Sequence, residues 1–293
     1  MIEQGAVLGI DVGFSARRDT TCLCLLRWNV DSITFSFEKV GVDTAARVRV
    51  LDTFLTGQGH IDAVAIDGPL TRGLRRVSHY RSAEALLSLG LFQKRGKPGQ
   101  TSSPIGQQLH DHATMFAEMI LERDQAGSIA ISRASHIEPI HGATIVEAFP
   151  NQFLAVLIHE SDLPPLRRDA SDRYWEVLMK SNGLTVLLSC LLPFRTLSTD
   201  LDRIKDHDQR AAAVCALTGL TVVGGVAVGV GDPEDGDIFL PATALWGGSQ
   251  SRQQPWAEAA LRENVAALRT SGASLVPAHR LARARFHENY WIH

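Results

Sequence analysis

Four acidic residues carry the chemistry this sequence can be read to hold: Asp11, Asp67, Glu147 and Asp208. The first three each follow an apolar run, in AVLGIDVGF (Ala6 to Phe14), HIDAVAIDGPL (ending at Leu70) and ATIVEAFP (ending at Pro150). Asp208 lies in the alanine-rich DHDQRAAAVCALTG (Asp206 to Gly219). A carboxylate at the end of a buried strand is costly unless water, a cation or a hydrogen-bond donor meets it. Carboxylates that converge at strand ends suit hard cations such as Mg²⁺ or Mn²⁺, which take oxygen ligands and keep several waters. Two such ions about 4 Å apart would activate an attacking water and stabilise the leaving oxygen of a phosphodiester. On that reading Asp11 bridges the ions, Asp67 and Asp208 each complete one, and Glu147 binds directly or through water. These four are the expected catalytic and metal-binding residues, and no serine or cysteine nucleophile is needed. Plainer roles stand beside these: Asp11 can cap the turn it forms with Gly13, and Glu147 can cap the helix opened by Pro150.

The elements that must position these acids follow from the pattern around them. The first strand is apolar on both faces, as a strand covered on both sides should be. TTCLCLLRW (Thr20 to Trp28) reads as a second buried strand. ITFSFEKV (Ile33 to Val40) alternates through Ile33, Phe35 and Phe37 and is expected half exposed, near an antiparallel edge. Short turns join the three into a meander. DTAARVRVLDTFLT then takes helical spacing, with Val48, Leu51 and Leu55 inward and Asp43 as its cap. A strand reached through a helix runs parallel to a neighbour by a right-handed crossover. If that neighbour is the first strand, Asp11 and Asp67 end adjacent strands roughly 4.8 Å apart and can share one cation.

Further along, a basic turn leads into a helix with Ala85, Leu86 and Leu89 inward. Gln93 to Gln108 has little to bury and is expected as a mobile loop, either a lid over substrate or a surface insertion. A helix to about Glu122, the short strands SIAISRA and ATIVEAFP, and two helices between Pro150 and Lys180 follow. TVLLSCLLPF fits helix or strand equally. Asp206 and Gln209 have capping-box spacing, so Asp206 is expected to cap the next helix while Asp208 faces the strand acids. TVVGGVAVGV reads as a buried strand, GDPEDGDIFLP as an acidic turn and short strand, and WAEAALRENVAALR as a helix in the tail. The expected organisation is one α/β domain over 1–250, with an insertion around 72–127, and a C-terminal helical extension over 251–293. The histidines of LHDHA lack a third ligand and read as surface residues.

Of the 293 residues, 45% are hydrophobic and 21% charged, which indicates a soluble globular protein with a substantial core. No apolar run approaches the roughly 20 residues of a membrane span, and the start lacks a signal-peptide layout. The expected location is therefore the cytoplasm, with no membrane partner. Cys22, Cys24, Cys190 and Cys215 lie in apolar stretches without a CxxC pair and read as reduced core residues. The net charge of −3 does not mark a nucleic-acid binder, yet the stretch from Arg72 to Lys97 sets seven cations against Glu84. Within it Arg72, Arg76, Lys94, Arg95 and Lys97 are the expected contacts to the phosphates of DNA or RNA; the alternative is a solvated basic face. The His- and Arg-rich tail reads either as a covering element or as a contact in a homo-oligomer.

Taken in order, GIDVGFS, AIDGPL, VEAFP (Val146 to Pro150), DHDQRAAAVCALTG and GDPEDGDIFLP (Gly231 to Pro241) resemble the signature segments of the family known as domain of unknown function 429. The resemblance covers roughly Ala6 to Pro241. It implies a ribonuclease H-like fold, a mixed sheet with a three-strand meander and then parallel strands, flanked by helices and carrying insertions. It also implies a divalent-metal-dependent nuclease. The family pattern resembles a helix with one acid at the position of Asp208 and a second three residues later, where this chain has Ala211. Two other readings remain. GIDVGFS also resembles the first phosphate loop of sugar kinases and actin-like ATPases, in which Ser15 and the backbone of Gly13 would hold ATP phosphates. With Ala211 and a negative net charge, the chain can also be a catalytically inactive binder of nucleic acid or of a partner.

Overall fold

The computed structural model describes residues 3–56, 60–71, 80–96, 98–124, 132–133, 144–165, 170–232, 236–247, 256–270 and 283–285. Its strands are β1 (Gly5–Asp11), β2 (Thr21–Trp28), β3 (Ser32–Val40), β4 (Ala63–Asp67), β5 (Ser132–Arg133), β6 (Thr144–Ala148), β7 (Thr196–Leu197), β8 (Val228–Asp232), β9 (Gly236–Leu240) and β10 (Arg283–Arg285). Its helices are α1 (Thr44–Leu55), α2 (Ser82–Leu86), α3 (Gly90–Gln93), α4 (Pro104–Asp124), α5 (Pro150–Leu157), α6 (Ala170–Lys180), α7 (Gly183–Leu191), α8 (His207–Val223) and α9 (Trp256–Thr270).

The strands form a single sheet in the order β10-β8-β9-β6-β4-β1-β2-β3-β7, with β5 also pairing β6. β1, β2 and β3 make the expected antiparallel meander, which sets Asp11 opposite Cys22 and Cys22 opposite Lys39. α1, capped by the Asp43 carboxylate accepting from the Ala46 amide at 2.7 Å, carries the chain back to β4. β4 lies parallel to β1 with Asp11 opposite Asp67, and β6 lies parallel to β4 with Asp67 opposite Ala148. An antiparallel meander, then β4, β6 and β9 parallel to β1 with β8 and β10 each paired antiparallel at that margin, and helices on both faces, together make a ribonuclease H-like mixed sheet. Alternation along the strands divides the core. Val7, Cys22, Cys24 and Ala63 pack against Ala212, Ala216 and Leu217 of α8 on one face. Leu8, Ile10, Leu23 and Ile66 pack against Leu51 and Phe54 of α1 and Phe116 of α4 on the other.

Several local expectations are corrected. α8 does not end at Gly219 but continues to Val223, where Gly224 and Gly225 stop it, Gly225 taking a left-handed φ of 67°. The strand expected over TVVGGVAVGV is therefore confined to Val228–Asp232. The ambiguous TVLLSCLLPF is helical as far as Leu191, in α7, which buries Leu184, Leu187 and Leu188 and leaves Cys190 exposed, unlike the other three cysteines. The loop expected from Gln93 to Gln108 is shorter, since α4 begins at Pro104 and Thr101 and Ser102 are buried. Ahead of it are two short helices rather than one, broken at Gly90 (φ 54°), whose absent side chain leaves room for Asn264 of α9. That asparagine donates to the carbonyls of Leu86 and Leu89 at 2.7 and 3.2 Å, tying α9 to the two short helices. Among the described residues no helix is long and apolar enough to cross a membrane.

Candidate functional site

The contact between α8 and β1 fixes the geometry of the site. A Cβ built on Gly9 would lie 2.2 Å from both the Ala212 carbonyl oxygen and the Ala216 amide nitrogen, so helix and strand meet backbone to backbone. Gly219 sits over Val7, so α8 runs antiparallel to β1. From Gly9 to Asp11 the strand advances about 7 Å, and from Ala212 back to Asp208 the helix retreats about 6 Å. The start of α8 is thereby delivered to the carboxyl end of β1.

Register places Lys39, Cys22, Asp11 and Asp67 in one row across four strands. Register partners point to the same face, and here that is the face covered by α8. The Lys39 ammonium pairs with Asp208 at 2.7 Å and Asp206 at 3.0 Å. Asp206 also caps α8 by accepting from the Gln209 amide at 3.1 Å. Both acids thus reach the row, Asp206 from the cap and Asp208 from the first turn. The charges act on one another. Burial first, then Asp67 and Asp208, hold the Asp11 carboxyl well above the usual carboxylate range against the opposing pull of Lys39. Burial, with Glu147 next, pushes Asp67 up to about 7. Burial and the charge of Asp11 likewise push the Cys22 thiol up, so it stays protonated.

Glu147 is placed differently. It is the register partner of Ile66, one residue out of phase with Asp67, and therefore points to the α1 and α4 side of the sheet. There Arg81 takes both of its oxygens, Nη2 donating to Oε1 at 2.5 Å and Nη1 to Oε2 at 2.9 Å, and the Leu70 amide donates to Oε2 at 3.1 Å. The Nε of Arg81 donates to Glu84 at 2.9 Å, and Thr101 also binds Glu84. Arg81, Glu84, Thr101 and Glu147 are all buried. Burial raises the Glu147 carboxyl while Arg81 opposes it. The structure thus brings Asp11, Asp67 and Asp208 together and leaves Glu147 on the other face, felt by Asp67 only as a charge.

Among the described residues no three His, Cys, Asp or Glu side chains stand in a metal-holding arrangement. Asp11 and Asp67 nevertheless form a pair whose mutual repulsion a cation would relieve. Mg²⁺ is commonly held by only one or two carboxylates, with waters and substrate phosphate oxygens completing its shell. The pair fits one hard divalent ion.

Of the expected phosphate contacts, Arg72, Arg76 and Lys97 lie outside the described residues. Lys94 is exposed just after α3, and the Arg95 guanidinium lies over the Trp256 ring at 5.9 Å, in local packing. The groups of the suspected phosphate loop are engaged within their own turn: the Gly13 amide donates to Thr21 Oγ1 at 3.1 Å, and the Ser15 hydroxyl accepts from the Arg17 amide at 3.3 Å.

Three cations that shape the region were not singled out from the sequence: Lys39, Arg81 and Arg47. Lys39 extends the Ile33, Phe35, Phe37 stripe and so had to land on the α8 face. Arg47 sits four residues before Leu51, on the inward face of α1. It is fully buried and donates to the Gly13 carbonyl at 2.8 Å, the Gly41 carbonyl at 2.9 Å and Thr21 Oγ1 at 3.1 Å. Its Nη1 lies 3.0 Å from His112 Nδ1. A guanidinium can only donate, so Nδ1 accepts and the neutral ring carries its proton on Nε2. Burial and then Arg47 lower the His112 pKa accordingly.

No protein-family model matches this chain, and no curated protein matches it. Among solved structures, the crystal structure of the yeast mitochondrial Holliday junction resolvase is similar, at 10% identity and a TM-score of 0.30, over 75% of this chain and 80% of that one. The ribonuclease H-like architecture is read from strand order and register and does not depend on this overlap.

Proposed function

We propose that the protein is a divalent-metal-dependent nuclease that hydrolyses phosphodiesters at the carboxyl ends of β1 and β4. The observation that supports this reading best is the register pairing of Asp11 with Asp67, to which α8 adds Asp208. In this reading Asp11 and Asp67 hold Mg²⁺ or Mn²⁺, which when bound supplies an activated water and neutralises charge on the phosphodiester. Asp208, tethered by Lys39, keeps the rim of the site acidic and within reach of the reacting phosphate. Glu147 acts through Arg81 and the Leu70 amide, holding the turn that follows Asp67. The test is cleavage of single- and double-stranded DNA and RNA with Mn²⁺ or Mg²⁺. Wild type should cleave at least one of these, EDTA should stop it, and Asp11→Asn should abolish it. Cleavage that survives EDTA or Asp11→Asn would overturn the proposal. A second reading, an inactive binder, is favoured by one observation: an ammonium already sits on Asp206 and Asp208. Salt-sensitive nucleic-acid binding with no cleavage under any of these conditions would identify it.

A further inference from the structure

A groove of about 610 Å³ opens beside the carboxylate row, between the turn from β1 to β2, the end of β3 and the start of α1. Lys39 forms part of its wall while its ammonium reaches Asp208 on the α8 side, so the groove opens at the same edge of the sheet as the carboxylate row, on the α1 side of it. Arg17 and Arg18 line it from the turn and Arg49 from α1. All three are exposed, and among the described residues none of the three guanidinium groups makes an ion pair or a hydrogen bond. The acids in the same wall are differently placed. Asp43 is committed to the Ala46 amide, Asp19 faces Gly41, and Glu38 is exposed. Arginine is the side chain best shaped for phosphate, because its planar fork donates two parallel hydrogen bonds and its charge does not titrate. Three uncommitted guanidinium groups thus stand around one groove, beside the carboxylates of Asp19, Glu38 and Asp43 in the same wall.

We infer that this groove is the track for the sugar-phosphate backbone of a single nucleic-acid strand, with Arg17, Arg18 and Arg49 gripping phosphates next to the one that reaches Asp11 and Asp67. This deepens the nuclease reading and rests on it for the direction in which the strand enters. It also assigns the phosphate contacts to the β1–β2 turn and α1 rather than to the Arg72 to Lys97 stretch. Contacts of this kind fix register along the strand without selecting sequence.

The experiment measures binding of short fluorescent single-stranded DNA and RNA by anisotropy across a salt series in EDTA. It compares wild type, the combined Arg17→Glu, Arg18→Glu and Arg49→Glu variant, and Arg27→Glu. Arg27 is exposed and pairs with Ala6, at the far end of the sheet from Asp11. Each lost single-strand phosphate contact flattens the log–log salt slope by ~0.7, so the combined variant should be flatter by about 2. Arg27→Glu should match wild type. Should the combined variant unfold, Arg17→Gln and Arg49→Gln taken singly should each flatten the slope by ~0.7. Wild-type binding with a slope the arginine variants leave unchanged overturns the groove, and metal-dependent cleavage lost in Asp11→Asn would then leave the nuclease standing alone. Groove-dependent binding without any cleavage supports the groove and overturns the nuclease. No salt-dependent binding by wild type overturns the groove, and absent cleavage in the same preparation overturns both.

Discussion

Replacing Asp67 with Asn removes one charge from the carboxylate row while keeping shape, and the structure sets the size of the effect. Asp67 is pushed from its ordinary 3.8 up to about 7, by burial first and Glu147 second. That is about three units at 1.36 kcal/mol each, so ionising Asp67 costs the folded state up to about 4 kcal/mol. The sign follows from linkage. Below about pH 4 the carboxyl is protonated in both folded and unfolded chains, and Asp67 behaves as Asn would. Between the ordinary carboxylate pKa and about 7 the unfolded chain releases its proton while the folded chain retains it, so wild type loses stability as pH rises. Above that window the full cost is present. Asp67→Asn escapes it, and the pressure on Asp11 also falls. In EDTA the variant should therefore match wild type near pH 4 and exceed it by roughly 2–4 kcal/mol at pH 8. Urea unfolding across that pH range reads this difference. Added Mn²⁺ should shrink that difference at pH 8 by about 2.7 kcal/mol at a hundred times its Kd, because Asp67→Asn lacks half the site. A variant less stable than wild type at pH 8 in EDTA, or a difference that does not change with pH, would refute the claim that burial and the charge of Glu147 hold the Asp67 carboxyl high.

Three further outcomes are expected. Gly9→Val should cost roughly 3 kcal/mol or more in urea unfolding, because its side chain would meet helix backbone at 2.2 Å, where nothing flexible can give way; a loss below about 1 kcal/mol would mean that α8 is not held as described. Arg81→Met should cost about 3–5 kcal/mol by leaving Glu84 and Glu147 buried without their cation, and adding Glu147→Gln should recover part of it; strictly additive losses would rule out the network. Arg47→Met should cost about 2–4 kcal/mol for the stranded carbonyls of Gly13 and Gly41. In the same variant the NMR-monitored pKa of His112 should rise, because a neighbouring positive charge has gone.

The sequence was most informative where one residue's environment sufficed. An apolar run ending in an acid is visible without any partner, and the helix between the first and fourth strands made their parallel pairing a matter of handedness. Asp11 and Asp67 could be aligned in advance for that reason, and Asp206 could be read as a cap from its spacing to Gln209. What could not be read was phase. Glu147 looks like Asp67 from its own strand, and only the pairing of Ile66 with Glu147 reveals that it points the other way. Charges inside the core were also illegible, because Arg47 and Arg81 are buried by partners far along the chain, at Gly13, His112, Thr101 and Glu147. The extension of α8 past Gly219 was missed because TVV carries β-branched residues that favour strands locally. Packing against β1 outweighed that preference.

The sheet's flanks have a practical meaning for handling the protein. Strands with long unpaired margins recruit other chains and seed fibrils. Among the described residues the series terminates in a two-residue stub beside β3 and a three-residue stub beside β8. Beyond the first stub the Phe35 amide is taken by the Thr199 hydroxyl at 2.8 Å, and charged Glu38 and Lys39 follow. Trimming the chain before Arg283 would uncover the glycine- and valine-rich β8, so shortened versions should precipitate sooner than the intact polypeptide.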